Sequence, residues 1–432
     1  MSELHVLLPN KYTNKDVSSK KNLALHNNLL SQVSLPSTSL DSMYLFNKQV
    51  KPRGAVTNQH SSGRCWLFAG LNMMRHSFVQ KHNLPSNFEF SQNYMFFWDK
   101  FERVNYFIHL YQTTKDKEEL DSRLTQFLLK EPLGDGGQWQ MFVNLVEKYG
   151  VVPKSVYPDT THSKNSAGLN MVLTKKLREY CRNIRLNDFN VERALEETYE
   201  LLVQFLGKPP SEFNWEYTDK EGRYRVVYDC HPLSFYKERV PISLSDYVSI
   251  TNDPRNDYNK NYGVQHLGNV LEGKEVKYMN LRMDRVRELV KKSIDKNEPV
   301  WFGSDVGQFL HSKSNIMDKN VFNMESYLGI SFGLNKRERI DYGESLMTHA
   351  MVISGYNEDR YGKINRWDIE NSWGSKGPNA GYYTMSDEWM KEYVYQIVVH
   401  KDHLSDAEKK LWDEPINKRF PPWDPMGALA RL

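Results

Sequence analysis

The ten residues Gln59-His60-Ser61-Ser62-Gly63-Arg64-Cys65-Trp66-Leu67-Phe68 hold the pattern from which the fold of this chain can be worked out. Apolar side chains follow at helical spacing, at Leu67, Leu71, Met74 and Phe78. That spacing predicts a helix with one buried face that begins near Cys65. A cysteine in the first turn lies at the positive end of the helix dipole, which stabilises a thiolate and lowers the thiol pKa. We therefore expect a reactive thiol at Cys65.

Gln59 lies shortly before Cys65, and Gly63 between them allows a tight turn. Such a turn can bring the Gln59 side-chain amide beside the backbone N–H of Cys65. Two donors at that place would stabilise the oxygen of a tetrahedral intermediate. The stretch therefore predicts an oxyanion hole as well as a nucleophile.

A cysteine nucleophile needs a proton partner, which is usually histidine. Of the 13 histidines, His349 precedes the strand-like run 350–355, and Asn371 follows the next such run. An asparagine amide oxygen can accept from one ring nitrogen and direct the other towards the thiol. Trp373 would keep water from that bond. We predict Cys65 as nucleophile, His349 as general base and acid, and Asn371 as the group that orients it.

Composition limits the other classes of function. The 432 residues are 39% hydrophobic and 13% aromatic, which provides for a large core. The net charge of +3, from 57 basic and 54 acidic residues, gives no reason to expect a nucleic acid or membrane partner. Three cysteines make a disulfide framework improbable, and no signal peptide or long apolar run is visible. We expect a cytoplasmic protein.

The periodicity along the chain changes from helical to strand-like. Helices are expected at 91–111, at 139–149, twice within 170–207 and from about 285. A hairpin is expected at 215–218 and 223–228, and strands at 299–302, 350–355, 367–370, 382–385 and 395–399. A helix-rich first part and a strand-rich last part indicate an α+β protein with two unlike lobes.

These blocks, in this order, resemble the papain superfamily and, within it, the bleomycin hydrolase (aminopeptidase C) family of cysteine peptidases. The block Gly134-Asp135-Gly136-Gly137-Gln138 also matches, and the resemblance implies that Gly136 and Gly137 line the substrate cleft. The interval from Cys65 to His349 is longer by about a hundred residues or more than the roughly 130–150 usual in papain-like enzymes. The resemblance extends from about residue 52 to the end.

The resemblance implies a papain-like two-lobe fold with a helical insertion, assembled as a homohexamer. The expected divisions are an N-terminal arm at 1–50, a helical lobe with the nucleophile at 51–160, a helical insertion for oligomerisation at 161–285, a β-rich lobe with the histidine and asparagine at 286–400, and a C-terminal arm at 401–432 that reaches the cleft.

The C-terminal segment 421–432 contains three prolines, which oppose helix, so we expect it to be extended in a narrow groove. The resemblance implies that this arm fills part of the cleft and that its terminal carboxylate, on Leu432, meets the free α-amine of the substrate. Relatives often end one residue after the alanine that matches Ala430. We therefore expect trimming of Leu432, or of Arg431 and Leu432.

The expected activity is hydrolysis of peptide bonds, and of bleomycin-like amides, from the N-terminus through a cysteine acyl-enzyme, with no metal or organic cofactor. An endopeptidase or transferase with the same acyl-enzyme is one alternative. A nucleic-acid-binding assembly with a vestigial site is another, since basic helix faces could line a hexamer channel. The complete set of Gln59, Cys65, His349 and Asn371 argues against a vestigial site. Cys181 and Cys230 are expected to be structural.

Overall fold

The computed structural model describes residues 29–30, 34 and 43–431. Most of the expected N-terminal arm and the terminal residue Leu432 lie outside the described residues. The described chain contains helices and strands in one mixed α+β architecture, as the sequence predicted.

The helices come mainly first. In chain order they are α1 Cys65–His82, α2 Gln92–Thr114, α3 Arg123–Lys130, α4 Trp139–Tyr149, α5 Thr161–Lys164, α6 Ala167–Arg185, α7 Val191–Leu206, α8 Pro232–Arg239, α9 Met283–Asp295, α10 Met324–Leu328, α11 Lys336–Asp341, α12 Asp387–Tyr393 and α13 Asp406–Asp413. The helices expected near residues 65, 91, 139, 170–207 and 285 are thus confirmed.

The strands are β1 Lys48–Gln49, β2 Phe213–Thr218, β3 Tyr224–Cys230, β4 Tyr247–Thr251, β5 Lys260–Val264, β6 Lys277–Asn280, β7 Val300–Ser304, β8 Leu310–His311, β9 Ile316–Met317, β10 His349–Glu358, β11 Ile364–Glu370, β12 Tyr383–Ser386, β13 Val394–His400 and β14 Lys418–Phe420. Twelve form one sheet in the order β14-β5-β6-β4-β13-β7-β10-β11-β12-β9-β8, with β1 paired to β10. Strands β2 and β3 form the predicted hairpin.

The central sheet separates two hydrophobic cores. Along β10, Ala350 and Val352 belong to the core that contains the early helices, whereas Met351 and Ile353 belong to the core that contains α9. This alternation follows from the two-residue period of a strand. Both faces of the middle strands are therefore buried, which makes this part of the sheet a rigid support.

Helix α1 packs against this support and is buried far beyond one face. Residues 65–75 are buried without interruption. The Trp301 Nε1 on β7 donates to the backbone oxygen of Trp66 at 3.3 Å, which joins the first turn of α1 to the sheet. The helix that begins at Cys65 consequently lies where the helical lobe meets the sheet.

The segment 161–285 differs from the helical insertion that we expected. It contains α6 and α7, but also β4, β5 and β6, which belong to the central sheet. Four of the five residues in each of β4 and β5 are buried. A short strand that is buried on both faces shows no two-residue alternation, so its sequence pattern does not reveal it.

The C-terminal segment also differs from the expected extended arm. Pro425–Arg431 forms a 3₁₀ helix in which Met426, Gly427, Ala428, Leu429 and Ala430 are buried. Pro425 stands at the first helical position, where its missing N–H removes no intrahelical bond. The prolines therefore precede the turn and do not prevent it.

A buried ion pair joins α2 to the glycine-containing segment 134–138. Lys100 Nζ lies 2.6 Å from Asp135 Oδ1, and the two side chains are 0% and 5% exposed. Burial alone would raise the pKa of Asp135, but the Lys100 ammonium, with hydrogen bonds from Ser166 and Asn170, holds it well below its usual range. Asp135 also accepts from the Gly63 N–H at 3.1 Å. The carboxylate thus connects the segment before α1 to α2.

Lys100→Met should lower the free energy of unfolding by about 3–5 kcal/mol, because it leaves a buried carboxylate without its cation. Urea denaturation at pH 7 measures this. Lys176→Met, which removes solvent-accessible pairs with Glu179 and Glu197, should change it by no more than about 1 kcal/mol. A similar loss in both variants would contradict this account of the buried pair.

Candidate active site

Cys65 is the first residue of α1, and its N-cap residue Arg64 makes no side-chain capping bond within the described chain. The first N–H groups of a helix have no intrahelical partner, so they remain available to an anion. Helix α1 packs against β10, and the backbone N–H of Ala350, the second residue of β10, acts to lower the pKa of the Cys65 thiol. The sulfur therefore lies between the start of α1 and the start of β10.

The structure brings His349 and Asn371 together. His349 is the first residue of β10, and Asn371 directly follows β11, which pairs with β10 in antiparallel fashion. His349 Nε2 lies 2.9 Å from Asn371 Oδ1. Since an amide oxygen only accepts, Nε2 carries the hydrogen and Nδ1 is the basic nitrogen.

Trp373 covers this pair on its outer side. Its ring centroid lies 4.7 Å from that of His349 at an interplanar angle of 31°. His349 is buried, whereas Trp373 remains 39% exposed. The indole thus stands between the imidazole and solvent, as the sequence predicted for a shielding residue.

Burial decides the protonation of both groups. It raises the pKa of the Cys65 thiol to about 11, although the N–H groups of Ala350 and Trp66 act in the opposite direction. It lowers the pKa of His349 to about 4, although the bond to Asn371 raises it. The position at the helix terminus led us to expect a lowered thiol pKa. That expectation is wrong, because the effect of desolvation on the pKa is larger than the effect of the helix terminus. Burial by itself therefore favours the neutral form of each group.

The Gln59 amide is held in one orientation. Its Oε1 accepts from the Ser372 hydroxyl at 2.6 Å, and its Nε2 donates to the Ser62 carbonyl at 2.6 Å. The backbone N–H of Gln59 also donates to the Ser372 carbonyl at 2.8 Å. With Oε1 engaged by Ser372, the NH₂ group faces the loop that leads to Cys65. Sequence reasoning did not assign a role to Ser372, because a serine beside an asparagine carries no distinct signal.

Gly136 and Gly137 lie beside the residue that follows the nucleophile. A Cβ on Gly137 would come within 2.5 Å of the Trp66 indole, so this position has no room for a side chain. Trp66 Nε1 donates to the Asp135 carbonyl at 2.7 Å. The backbone of residues 135–137 therefore packs directly on the first turn of α1.

The C-terminal 3₁₀ helix lies against the same glycine segment. Gln138 Nε2 donates to the Met426 carbonyl at 3.4 Å, and the Arg103 guanidinium donates to the Ala430 carbonyl at 3.5 Å. Arg103 also donates to the Gly136 carbonyl. One buried guanidinium therefore holds both the glycine segment and the tail. The expected contact of Leu432 with substrate lies outside the described residues.

Two other features of the described chain bear on its chemistry. No group of three or more His, Cys, Asp or Glu side chains among the described residues is placed to hold a metal ion. No helix in that part of the chain has the length and apolarity needed to span a bilayer. Cys65, Cys181 and Cys230 are free and buried, in agreement with the structural reading of the latter two.

Comparisons with known proteins agree with this arrangement. The chain matches the Peptidase C1-like family over residues 3–427. It is 43% identical over 422 residues to aminopeptidase C of Streptococcus thermophilus, covering 95% of this chain and 94% of that protein. It is 42% identical over 432 residues to bleomycin hydrolase of Rattus norvegicus, with the same two coverages of 95% and 94%.

A solved structure shows the same fold over nearly the whole chain. PepW from Lactobacillus rhamnosis HN001 is 39% identical and superposes with a TM-score of 0.93, covering 99% of this chain and 98% of that one. With the match over residues 3–427, this shows that the chain belongs to the Peptidase C1-like family and is a cysteine peptidase.

Proposed function

We propose that this protein is a thiol aminopeptidase in which Cys65, His349, Asn371 and Gln59 carry the reaction. The observation that carries the proposal is the 2.9 Å bond from His349 Nε2 to Asn371 Oδ1, at the end of the strand against which the helix of Cys65 packs. The relatives named aminopeptidase C and bleomycin hydrolase support a peptide substrate. Hydrolysis of bleomycin-like amides is part of the proposal on the same ground.

The reaction begins with a proton transfer. The Cys65 thiol gives its proton to His349 Nδ1, and the thiolate attacks the carbonyl carbon of the scissile bond. Each charge is disfavoured alone in a buried site, but a thiolate and an imidazolium formed together attract each other strongly at low dielectric. Asn371 holds the imidazolium by accepting from Nε2.

The tetrahedral intermediate needs donors for its oxygen. The Cys65 N–H and the Gln59 NH₂ group supply them, with the amide kept in orientation by Ser372. As the intermediate collapses, His349 returns the proton to the leaving amine and a thioester forms on Cys65. Water then hydrolyses the thioester, with His349 again acting as base.

The tail supports an exopeptidase over an endopeptidase or transferase. The segment 425–431 is bonded to Gln138 and, through Arg103, to Gly136, which supports a position next to the proposed substrate backbone. A filled cleft on that side leaves room for few residues before the scissile bond. The terminal carboxylate would then meet the free amine of the substrate. A nucleic-acid-binding role has no comparable support.

We also propose a cytoplasmic homohexamer. Apolar side chains are exposed at alternate positions from the last residue of α10 through the loop that follows it, at Leu328, Ile330, Phe332 and Leu334. Several exposed apolar side chains in one short segment support contact with another protein surface. Three free thiols agree with a reducing compartment.

Cys65→Ala should abolish hydrolysis of N-terminally free peptides without loss of the fold. Cys181→Ala should keep activity within about twofold, because Cys181 is a core residue of α6 whose pKa burial raises to about 12. Peptide hydrolysis and far-ultraviolet circular dichroism measure this. Residual turnover near the wild-type value in Cys65→Ala would remove Cys65 from the reaction.

The acidic limb of kcat/KM should lie near pH 4. His349 must be neutral to accept a proton, and burial places its pKa at about 4. Activity should therefore persist below pH 6.5, the ordinary histidine value, and fall only as His349 becomes protonated. A profile of kcat/KM from pH 3 to 8 measures this. A limb centred between pH 6 and 7 would contradict the buried, neutral imidazole.

Deletion of residues 426–432 should reduce aminopeptidase activity and permit cleavage of N-terminally blocked peptides, because it empties the space beside Gly136 and Gly137. Rates on matched free and blocked peptides measure the change. Deletion of Arg431 and Leu432 alone is the control and should keep the preference for a free amine. Strict aminopeptidase specificity in the longer deletion would show that the tail does not set it.

Light scattering should give about six times the 50.8 kDa chain mass. Phe332→Glu should lower that mass, because it puts a charge into the exposed apolar loop. Leu120→Glu, at another exposed apolar residue outside that loop, should leave it unchanged. A wild-type monomer at micromolar concentration would contradict the hexamer.

A further inference from the structure

We propose that Arg75 is a positioning residue that holds together the three chain segments that carry Cys65, Gln59 and Asn371. The inference rests on the proposed roles of Cys65, Gln59 and Asn371. Arg75 lies on α1, the helix that begins with Cys65, and it is 3% exposed. Its guanidinium contacts both the segment that leads to Gln59 and the strand that leads to Asn371.

The contact with the strand is a buried ion pair. Arg75 Nη2 donates to Glu370 Oε1, and the two side chains are 3% and 9% exposed. Glu370 is the last residue of β11 and directly precedes Asn371. The pair therefore fixes the backbone beside Asn371 relative to α1.

The contact with the segment before Gln59 uses the other guanidinium nitrogen. Arg75 Nη1 donates to the Ala55 carbonyl at 2.9 Å. A Cβ on Gly54 would lie 2.3 Å from Nη2, so the guanidinium passes directly over that glycine. Tyr382 donates its hydroxyl hydrogen to the Gly54 carbonyl at 2.7 Å, which holds the segment from the other side.

The same segment continues into the active site. Its Thr57 carbonyl accepts from the Gly374 N–H at 2.8 Å, and the Gln59 N–H donates to the Ser372 carbonyl at 2.8 Å. The chain around Gln59 thus runs alongside the chain that follows Asn371. Arg75 fixes the beginning of both runs, one through Ala55 and one through Glu370.

The chemistry of arginine suits this position. Its planar fork can donate in two fixed directions at once, whereas a lysine ammonium is a single point charge. A buried ion pair is weak evidence for stability, because desolvation offsets much of the attraction. Its effect on geometry is a separate matter, since a displacement of about 1 Å in a reacting group can reduce the rate about 100-fold. We therefore assign Arg75 to the alignment of Gln59 and Asn371 with Cys65.

The test is the kinetics of Arg75→Lys and Glu370→Gln on an N-terminally free fluorogenic peptide. Rates are expressed per active site, counted by stoichiometric alkylation of Cys65. We expect kcat to fall about 10- to 100-fold in each, with KM within about threefold. In combination with Asn371→Ala, the Arg75→Lys loss should be clearly less than multiplicative, because Asn371 is one of the groups that Arg75 aligns.

Arg287→Lys is the matched control. Arg287 lies half-buried on α9, whose apolar face packs in the other core, and it makes a two-point pair with Asp387, with both N–O distances 2.7 Å. The Arg287→Lys substitution should lower the melting temperature and leave kcat within about twofold of the wild-type value. This comparison separates alignment from a general loss of stability.

Three outcomes would overturn the inference. The first is an unchanged kcat in folded Arg75→Lys or Glu370→Gln. The second is a loss of kcat in the Arg75→Lys, Asn371→Ala double variant that equals the product of the two single losses. The third is a loss of kcat in Arg287→Lys as large as that in Arg75→Lys. If Arg75→Lys does not fold, Glu370→Gln alone decides, since it keeps the side-chain shape and removes only the charge. A wild-type protein without peptidase activity would instead refute the proposed function.

Discussion

The first three turns of α1 are completely buried, and this burial governs both the placement and the electrostatics of the active site. Residues 65–75 are enclosed by the helical lobe and the central sheet, so the position of Cys65 is set by both. The Trp66 side chain packs under the glycine segment, while its backbone oxygen accepts from Trp301 on the sheet. A nucleophile on an exposed helix end would move with its loop, whereas this one has no freedom to do so.

The same burial sets the electrostatics of the site. Removal of water raises the pKa of the Cys65 thiol and lowers that of His349, so neither group is charged by itself. The helix terminus and the Ala350 N–H act against that penalty without overcoming it. Charge therefore arises on both groups in one step, as a thiolate and an imidazolium that stabilise each other, in a place where donors for the oxyanion are already oriented.

Hydrogen bonds from polar side chains hold the surrounding segments in fixed positions relative to the active site. Ser372 orients the Gln59 amide, Asp135 accepts from the Gly63 N–H, and Arg103 holds both Gly136 and the tail. Each is buried or nearly so, and a buried polar group that lacks its partner is costly. These bonds therefore tolerate few alternative arrangements, which gives the site one geometry.

Features that depend on local order could be predicted from the amino-acid sequence: a helix that begins at Cys65, strands at His349 and before Asn371, the β2–β3 hairpin, and the family blocks. Local spacing and turn chemistry are sufficient for these. Four other features emerged from the folded chain: the raised thiol pKa, the membership of β4–β6 in the central sheet, the helical turn of the tail, and the Arg75–Glu370 pair. That pair joins residues 295 positions apart. Desolvation and long-range pairing depend on what surrounds a residue in space, and the neighbours along the chain do not specify this.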